Sequence, residues 1–151
     1  MINFNSIDDI LSFAIAEEQA AIDLYTLLAE KAVNPAVRKT FEDFIQEETR
    51  HRDNLTQMKE EKKFTLQPSK VQEMKISDYT LTIKPSPDMT YADALLYAMN
   101  KEKAAFKLYT HLAARTAAPE LKKIFLLLAQ EESNHKLHFE IEYDDHVLNE
   151  D

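Results

Sequence analysis

The sequence predicts an all-α fold, a four-helix bundle made of two repeated helical hairpins joined by a long crossover. Three observations carry this. The 151 residues include no Gly and only five Pro, and they are rich in Ala, Leu, Glu and Lys, a composition that favours long helices over turns and sheets. Residues 6–58 align with 90–142 without a gap, at a constant offset of 84 and with 18 identities in 53 positions, which marks an internal duplication with pseudo-twofold symmetry. Apolar residues recur at three- and four-residue spacing through four long segments. A chain of this length suits one domain, divided into a hairpin at about 6–62, a crossover at about 63–89 and a hairpin at about 90–145.

The first helix is expected to start at Ser6, whose hydroxyl can cap the opening turn while Asp9 reaches back in a capping-box arrangement. It runs to about Ala32 on a stripe of Ile7, Leu11, Ala14, Ala21, Ile22, Tyr25, Leu28, Ala29 and Ala32. Glu18 falls in the middle of that stripe, a carboxylate placed in the core. Asn34-Pro35 then supplies a cap and a first-turn proline for a second helix to roughly Lys62. Its stripe reads Val37, Phe41, Phe44, Glu48, His51, Leu55, Met58, so ionisable residues again interrupt a hydrophobic face. The short connection makes the pair an antiparallel hairpin.

Residues 63–89 change character, with Pro68, Pro85, Pro87 and an alternating Tyr79-Thr80-Leu81-Thr82-Ile83 stretch. They read as a connector, with a short helix within 69–75. At roughly 3.3 Å per extended residue, such a segment can traverse the bundle and start the second hairpin at the far end. The third helix begins at Thr90 with Asp93 repeating the Ser6/Asp9 cap, and the fourth follows Pro119 as the second follows Pro35. Beyond Tyr143 the tail is polar and acidic and is expected to fray.

Composition also excludes functions. With 27 acidic against 18 basic residues the formal charge is -9, which repels phosphate backbones and argues against nucleic acid and anionic membranes as partners. The longest fully apolar run, Ile124 to Ala129, is too short to span a bilayer. Asp8 and Asp9 stand where a secretory leader needs a basic region, so a cytoplasmic protein is expected. Without Cys, the chain offers no thiolate, and any redox metal must sit on oxygen and nitrogen ligands.

The motif that organises the chain occurs twice, as Gln46-Glu47-Glu48-Thr49-Arg50-His51 and Gln130-Glu131-Glu132-Ser133-Asn134-His135. In each copy a Glu and a His stand three residues apart, on one helix face about a turn apart, where both can hold one ion. Adding the ionisable residues shared by the other stripes gives Glu18, Glu48, His51, Glu102, Glu132 and His135. Four buried carboxylates without counter-charge would protonate or prevent packing. No Lys or Arg is expected near them on these stripes, whereas two divalent ions balance four carboxylates. The sequence leaves two readings of Glu47 and Glu131: each stands four residues before its own histidine and can orient it, or turns outward beside a ligand. His111, His138 and His146 have no counterparts in the other half and read as surface or lining residues.

These residues resemble the ferritin-like di-iron carboxylate proteins, and most of all the rubrerythrin type, with Glu18 seven residues before Tyr25 and Glu102 seven before Tyr109. The resemblance covers both hairpins. It implies a ferritin-like bundle in which Glu48 and Glu132 bridge two iron ions, Glu18 and Glu102 are terminal carboxylates, and His51 and His135 each cap one metal. Tyr25 and Tyr109 would hydrogen-bond those carboxylates. Manganese and zinc also suit such ligands. Rubrerythrins carry a further glutamate three residues after the third-helix ligand, where this chain has Ala105, and a Cys-rich rubredoxin segment that these residues lack.

The implied activity is that of a non-haem di-iron oxidoreductase, a peroxidase or ferroxidase reacting Fe(II) with hydrogen peroxide or dioxygen. An external electron donor such as rubredoxin and a homodimer are the expected partners. The alternative is a non-catalytic protein that binds, stores or senses iron.

Overall fold

A computed structural model describes residues 3–62, 64–81, 86 and 88–149. The described chain is helical, in the order α1 (Ile7–Lys31), α2 (Pro35–Glu61), α3 (Pro68–Gln72), a 3-10 turn (Ile76–Asp78), α4 (Tyr91–Arg115) and α5 (Pro119–Asn149). No strand occurs among the described residues. The expected starts of α1, α2 and α4 follow from their caps. Ser6 Oγ accepts from Asp9 N at 3.2 Å, and Thr90 Oγ1 accepts from Asp93 N at 3.1 Å. Asp9 reaches back to Asn5 N, at 2.9 Å, one residue before the cap. Asn34 Oδ1 accepts from Ala36 N at 2.8 Å, with Pro35 in the first turn where its missing N–H leaves nothing unpaired. With no glycine available, Lys62 adopts the left-handed conformation that ends α2.

Helices α1 and α2 form one hairpin, α4 and α5 the other, and the two meet chiefly through α1 and α4. Two apolar layers fill the bundle. One joins Ile10, Leu11 and Ala14 to Leu55, Leu108, Leu112, Phe125 and Leu128. The second joins Leu24, Tyr25 and Leu28 to Phe41, Phe44, Leu95, Ala98 and Phe139. Because the end of α2 belongs to the first layer and the start of α4 to the second, the crossover travels the length of the bundle. It is no bare tether: Phe64, Val71, Met74 and Tyr79 are buried in the first layer.

The short crossover helix expected within 69–75 is α3, which ends at Gln72; a 3-10 turn follows, and Tyr79 N donates to Ile76 O. Thr82, Ile83, Pro85 and Pro87 lie outside the described residues. Two expectations need correction. The tail does not fray after Tyr143, since α5 continues to Asn149. Tyr91 at the start of α4 holds that end: its hydroxyl donates to Glu142 Oε2 at 2.6 Å and its ring meets His146 edge-on at 5.0 Å. Finally, Lys101 is buried close to the ionisable residues, paired with Glu17 of α1. Among the described residues, no helix is long and apolar enough to cross a membrane.

Candidate metal centre

Between the two apolar layers lies a layer of charge. Glu18 comes from α1, Glu48 and His51 from α2, Glu102 from α4, and Glu132 and His135 from α5. Glu18 is 2 % exposed and the other five 1 % or less. Helix periodicity delivers them there, since each occupies a core position whose neighbours on the stripe, such as Ala14 and Ala21 around Glu18, pack into the layers above and below.

The six residues fall into two overlapping sets. Glu18, Glu48, His51 and Glu132 form one, and Glu48, Glu102, Glu132 and His135 the other, with one candidate ligand atom from each residue of a set within 4.8 Å of the rest. Glu48 and Glu132 belong to both. Each histidine turns Nδ1 inward and across the pseudo-twofold: His51 Nδ1 lies 2.9 Å from Glu132 Oε1, and His135 Nδ1 2.9 Å from Glu48 Oε1. The carboxylates of the histidines' own halves stand further off, with Glu18 Oε2 3.6 Å from His51 Nδ1 and Glu102 Oε1 3.8 Å from His135 Nδ1.

The outer nitrogens are held by the residues the sequence left open. Glu131 pairs with His51 Nε2 and Glu47 with His135 Nε2, so each glutamate orients the histidine of the opposite hairpin rather than its own. Glu131 is itself fixed by Arg50, whose guanidinium donates to Oε1 at 3.0 Å. Phe44 stacks on the His135 ring at 4.0 Å. The tyrosines are unequal. Tyr109 donates its hydroxyl to Glu18 Oε1, across the repeat, whereas the buried Tyr25 hydroxyl makes no hydrogen bond. His111 bonds the Tyr79 hydroxyl and His138 packs edge-on against Phe44, so neither joins the cluster.

Electrostatics express the strain of collecting these groups. Burial first, then the neighbouring carboxylate Glu48, pushes Glu18 well above the ordinary carboxylate range. Burial and Glu132 raise Glu48, and burial, Glu102 and Glu18 raise Glu132 well above that range. Burial disfavours the His51 cation, but Glu132 and Glu18 outweigh it and push that histidine up to about 11. Burial likewise opposes the His135 cation, and Glu102, Glu47 and Glu48 outweigh it. Glu47 is lowered by its bond to His135.

A metal fits this layer. Among the described residues, nine buried side-chain nitrogen and oxygen atoms lack a hydrogen-bond partner, and eight of them belong to the six residues: Glu18 Oε2, both oxygens of Glu48 and of Glu102, Glu132 Oε1, and both histidine Nδ1 atoms. Buried polar atoms are otherwise almost always paired. Their concentration on one set of converging oxygen and nitrogen donors is the arrangement that divalent cations satisfy.

Comparison with known proteins agrees. The family model described as Rubrerythrin matches residues 9–91 and 93–151. A hypothetical protein from Pyrococcus furiosus has a similar fold, with a TM-score of 0.70 at 21% sequence identity over 92% of this chain and 89% of that one. No curated protein matches the sequence. With the family model spanning both hairpins and the crossover, and with paired carboxylate and histidine donors at the centre of the bundle, the chain belongs to the rubrerythrin family.

Proposed function

We propose that the protein is a non-haem di-iron oxidoreductase that reacts two Fe(II) ions with hydrogen peroxide or dioxygen. The observation that supports it most is the pair of overlapping donor sets sharing Glu48 and Glu132, with eight of their atoms making no hydrogen bond. Glu48 and Glu132, which belong to both sets, would be shared by the two ions, Glu18 and Glu102 would each serve one of them, and His51 and His135 would each supply one imidazole. Two divalent ions also neutralise four carboxylates, which the buried Lys101 does not do because Glu17 already pairs with it. When bound, the ions supply the electrons that reduce the oxidant.

The chain supplies the rest. Glu131 and Glu47 occupy the outer histidine nitrogens, which leaves each Nδ1 lone pair directed inward once the ring is neutral. Tyr109 restrains one oxygen of Glu18 and leaves the other available. The apolar layers on both sides restrict water around the carboxylates. Peroxide reduction with an external donor such as rubredoxin is the favoured net reaction, ahead of ferroxidase action. We read the protein as a homodimer, joined through the outer face of α4 and α5.

Iron analysis and stopped-flow absorption test this. Two Fe(II) per chain, with ferric absorption rising within seconds of adding peroxide, is the expected result. Iron that binds but stays ferrous would leave the reading of a non-catalytic iron-binding protein, and metal well below two ions per chain would refute the centre.

A further inference from the structure

The carboxylate layer is approached by a pocket on one side. Glu18, Glu48, Glu102 and Glu132 form its floor, and neither histidine borders it. Phe13 and Ala21 of α1 and Ala104, Ala105, Leu108 and Tyr109 of α4 form its walls, and the three alanines leave the space open. The volume is about 10 Å³, room for roughly one water-sized molecule. The opposite, histidine-bearing side is closed by Glu47, Glu131 and Arg50 with their hydrogen bonds.

Glu17 and Lys101 line the outer part of this pocket and are joined as an ion pair. They occupy equivalent positions of the two repeats, 84 residues apart, so the pair straddles the pseudo-twofold relation between α1 and α4. Glu17 is 32% exposed at the side chain and Lys101 only 9%, which sets the carboxylate outward and the ammonium behind it. Tyr79 of the crossover forms a further wall, fixed by a 2.5 Å hydrogen bond between its hydroxyl and His111 Nδ1.

We propose that a small neutral oxidant reaches the carboxylates through this pocket between α1 and α4, past Ala21, Ala104 and Ala105, with the Glu17–Lys101 pair as the latch at its mouth. The inference rests on the di-iron reading above. Size and charge both select the ligand class. A space close to the size of one water restricts passage to the smallest oxidants, such as dioxygen or hydrogen peroxide, and the four carboxylates beneath repel anions while leaving neutral molecules unaffected. The latch is neutral as a pair, whereas losing one partner would strand a buried charge, so the informative variant removes both.

The test uses the 151-residue chain loaded with Fe(II) under anaerobic conditions and nitric oxide as a neutral diatomic probe, with association followed by stopped-flow absorption. Ala105→Val and Ala104→Val narrow the pocket and are each expected to slow association roughly tenfold, because a packed wall registers even single methyl groups. The double variant E17A/K101A is expected to speed it by about threefold or more, since both groups closing the mouth are gone. Helicity, thermal midpoint and iron content identify the variants that keep the fold and the centre. Iron bound at wild-type level with association unchanged in these variants overturns the path and leaves the centre standing. A wild-type chain that binds no iron overturns the centre, and the path with it.

Discussion

The hydroxyl of Tyr109 donates to Glu18, a residue of the other repeat, while its counterpart Tyr25 is equally buried and has no hydrogen-bond partner. The duplication has therefore produced two donor sets of the same composition with unequal support. Glu18 is held by a hydrogen bond, and the equivalent carboxylate, Glu102, has no hydrogen-bond partner at either oxygen.

That inequality sets the first expectation. Tyr109→Phe frees Glu18 and is expected to weaken one of two metal-binding steps by about 10- to 100-fold, the usual cost of losing support behind a ligand. Tyr25→Phe removes a hydroxyl that bonds nothing and is expected to change affinity by less than about threefold. Competition with a chelator of known affinity measures both. Equal losses in the two variants would contradict the asymmetry.

The crossed histidine support gives the second. Glu131→Ala removes the partner of His51 Nε2, and Glu47→Ala that of His135 Nε2. Each is expected to lower metal affinity by roughly 10- to 100-fold without abolishing binding. Proton NMR of the cobalt-loaded protein reports which ring moves. In Glu131→Ala the shifted resonances are expected to belong to His51, although His135 is the neighbour in sequence.

Acidity supplies the third. Burial raises the carboxyls of Glu18, Glu48 and Glu132 above their ordinary 4.5 in the metal-free fold. The stability tied to their protonated forms is complete below that ordinary value and fades as pH rises through the raised folded values. His51 acts in the same direction, its contribution complete below 6.5 and lost as pH climbs through about 11. Metal ions displace these protons, so the loaded form gains with pH. Between about pH 5 and pH 8, the gap in thermal midpoint between loaded and metal-free protein is expected to widen. A gap that stays constant or narrows would count against a metal held by these groups.

Charge removal offers a fourth. Glu48→Gln with Glu132→Gln keeps the shape of the layer and deletes two buried carboxylates. At neutral pH the metal-free double variant is expected to melt on the order of 5 °C above the wild type, while losing the metal pair. Calorimetry and metal analysis on the same sample check both halves. A metal-free variant that melts lower would show that the carboxylates support the fold by themselves.

The exterior breaks the repeat, and a fifth expectation follows. Leu126, Leu137 and Ile141 on α5 are 46%, 54% and 50% exposed. The equivalent positions on α2 are Glu42, Asp53 and Gln57. Leu96 and Phe106 of α4, 40% and 42% exposed, line a groove between α4 and α5 with Lys103, Lys136 and Glu140, charges of both signs that suit an antiparallel second copy. Five half-exposed apolar side chains leave on the order of 500 Å² bare, at the upper end for a monomer and most of the roughly 800 Å² each partner buries in a standard interface. Light scattering is expected to give a dimer mass, and Leu137→Asp with Ile141→Asp a monomer mass. A monomeric wild type would contradict the assignment.

The bundle, its two hairpins and the convergence of Glu18, Glu48, His51, Glu102, Glu132 and His135 were legible because duplication prints them twice and helix periodicity projects them onto one interior. What stayed hidden depends on groups from different elements meeting in space. Glu47 reaches His135 and Glu131 reaches His51, whereas four-residue spacing reports only neighbours on one helix. Lys101 stands opposite Glu17 at a duplicated position whose change of sign makes sense only once α1 lies against α4. The end of α5 reads as a polar tail because Tyr91, which anchors it through Glu142, lies 51 residues away in sequence.

Anomalous scattering from crystals of the iron-loaded protein, recorded on both sides of the iron edge, tests the central claim most directly. Two peaks flanked by Glu48 and Glu132, one beside His51 Nδ1 and one beside His135 Nδ1, are expected. A single peak, or iron lying outside these six residues, would contradict the di-iron centre.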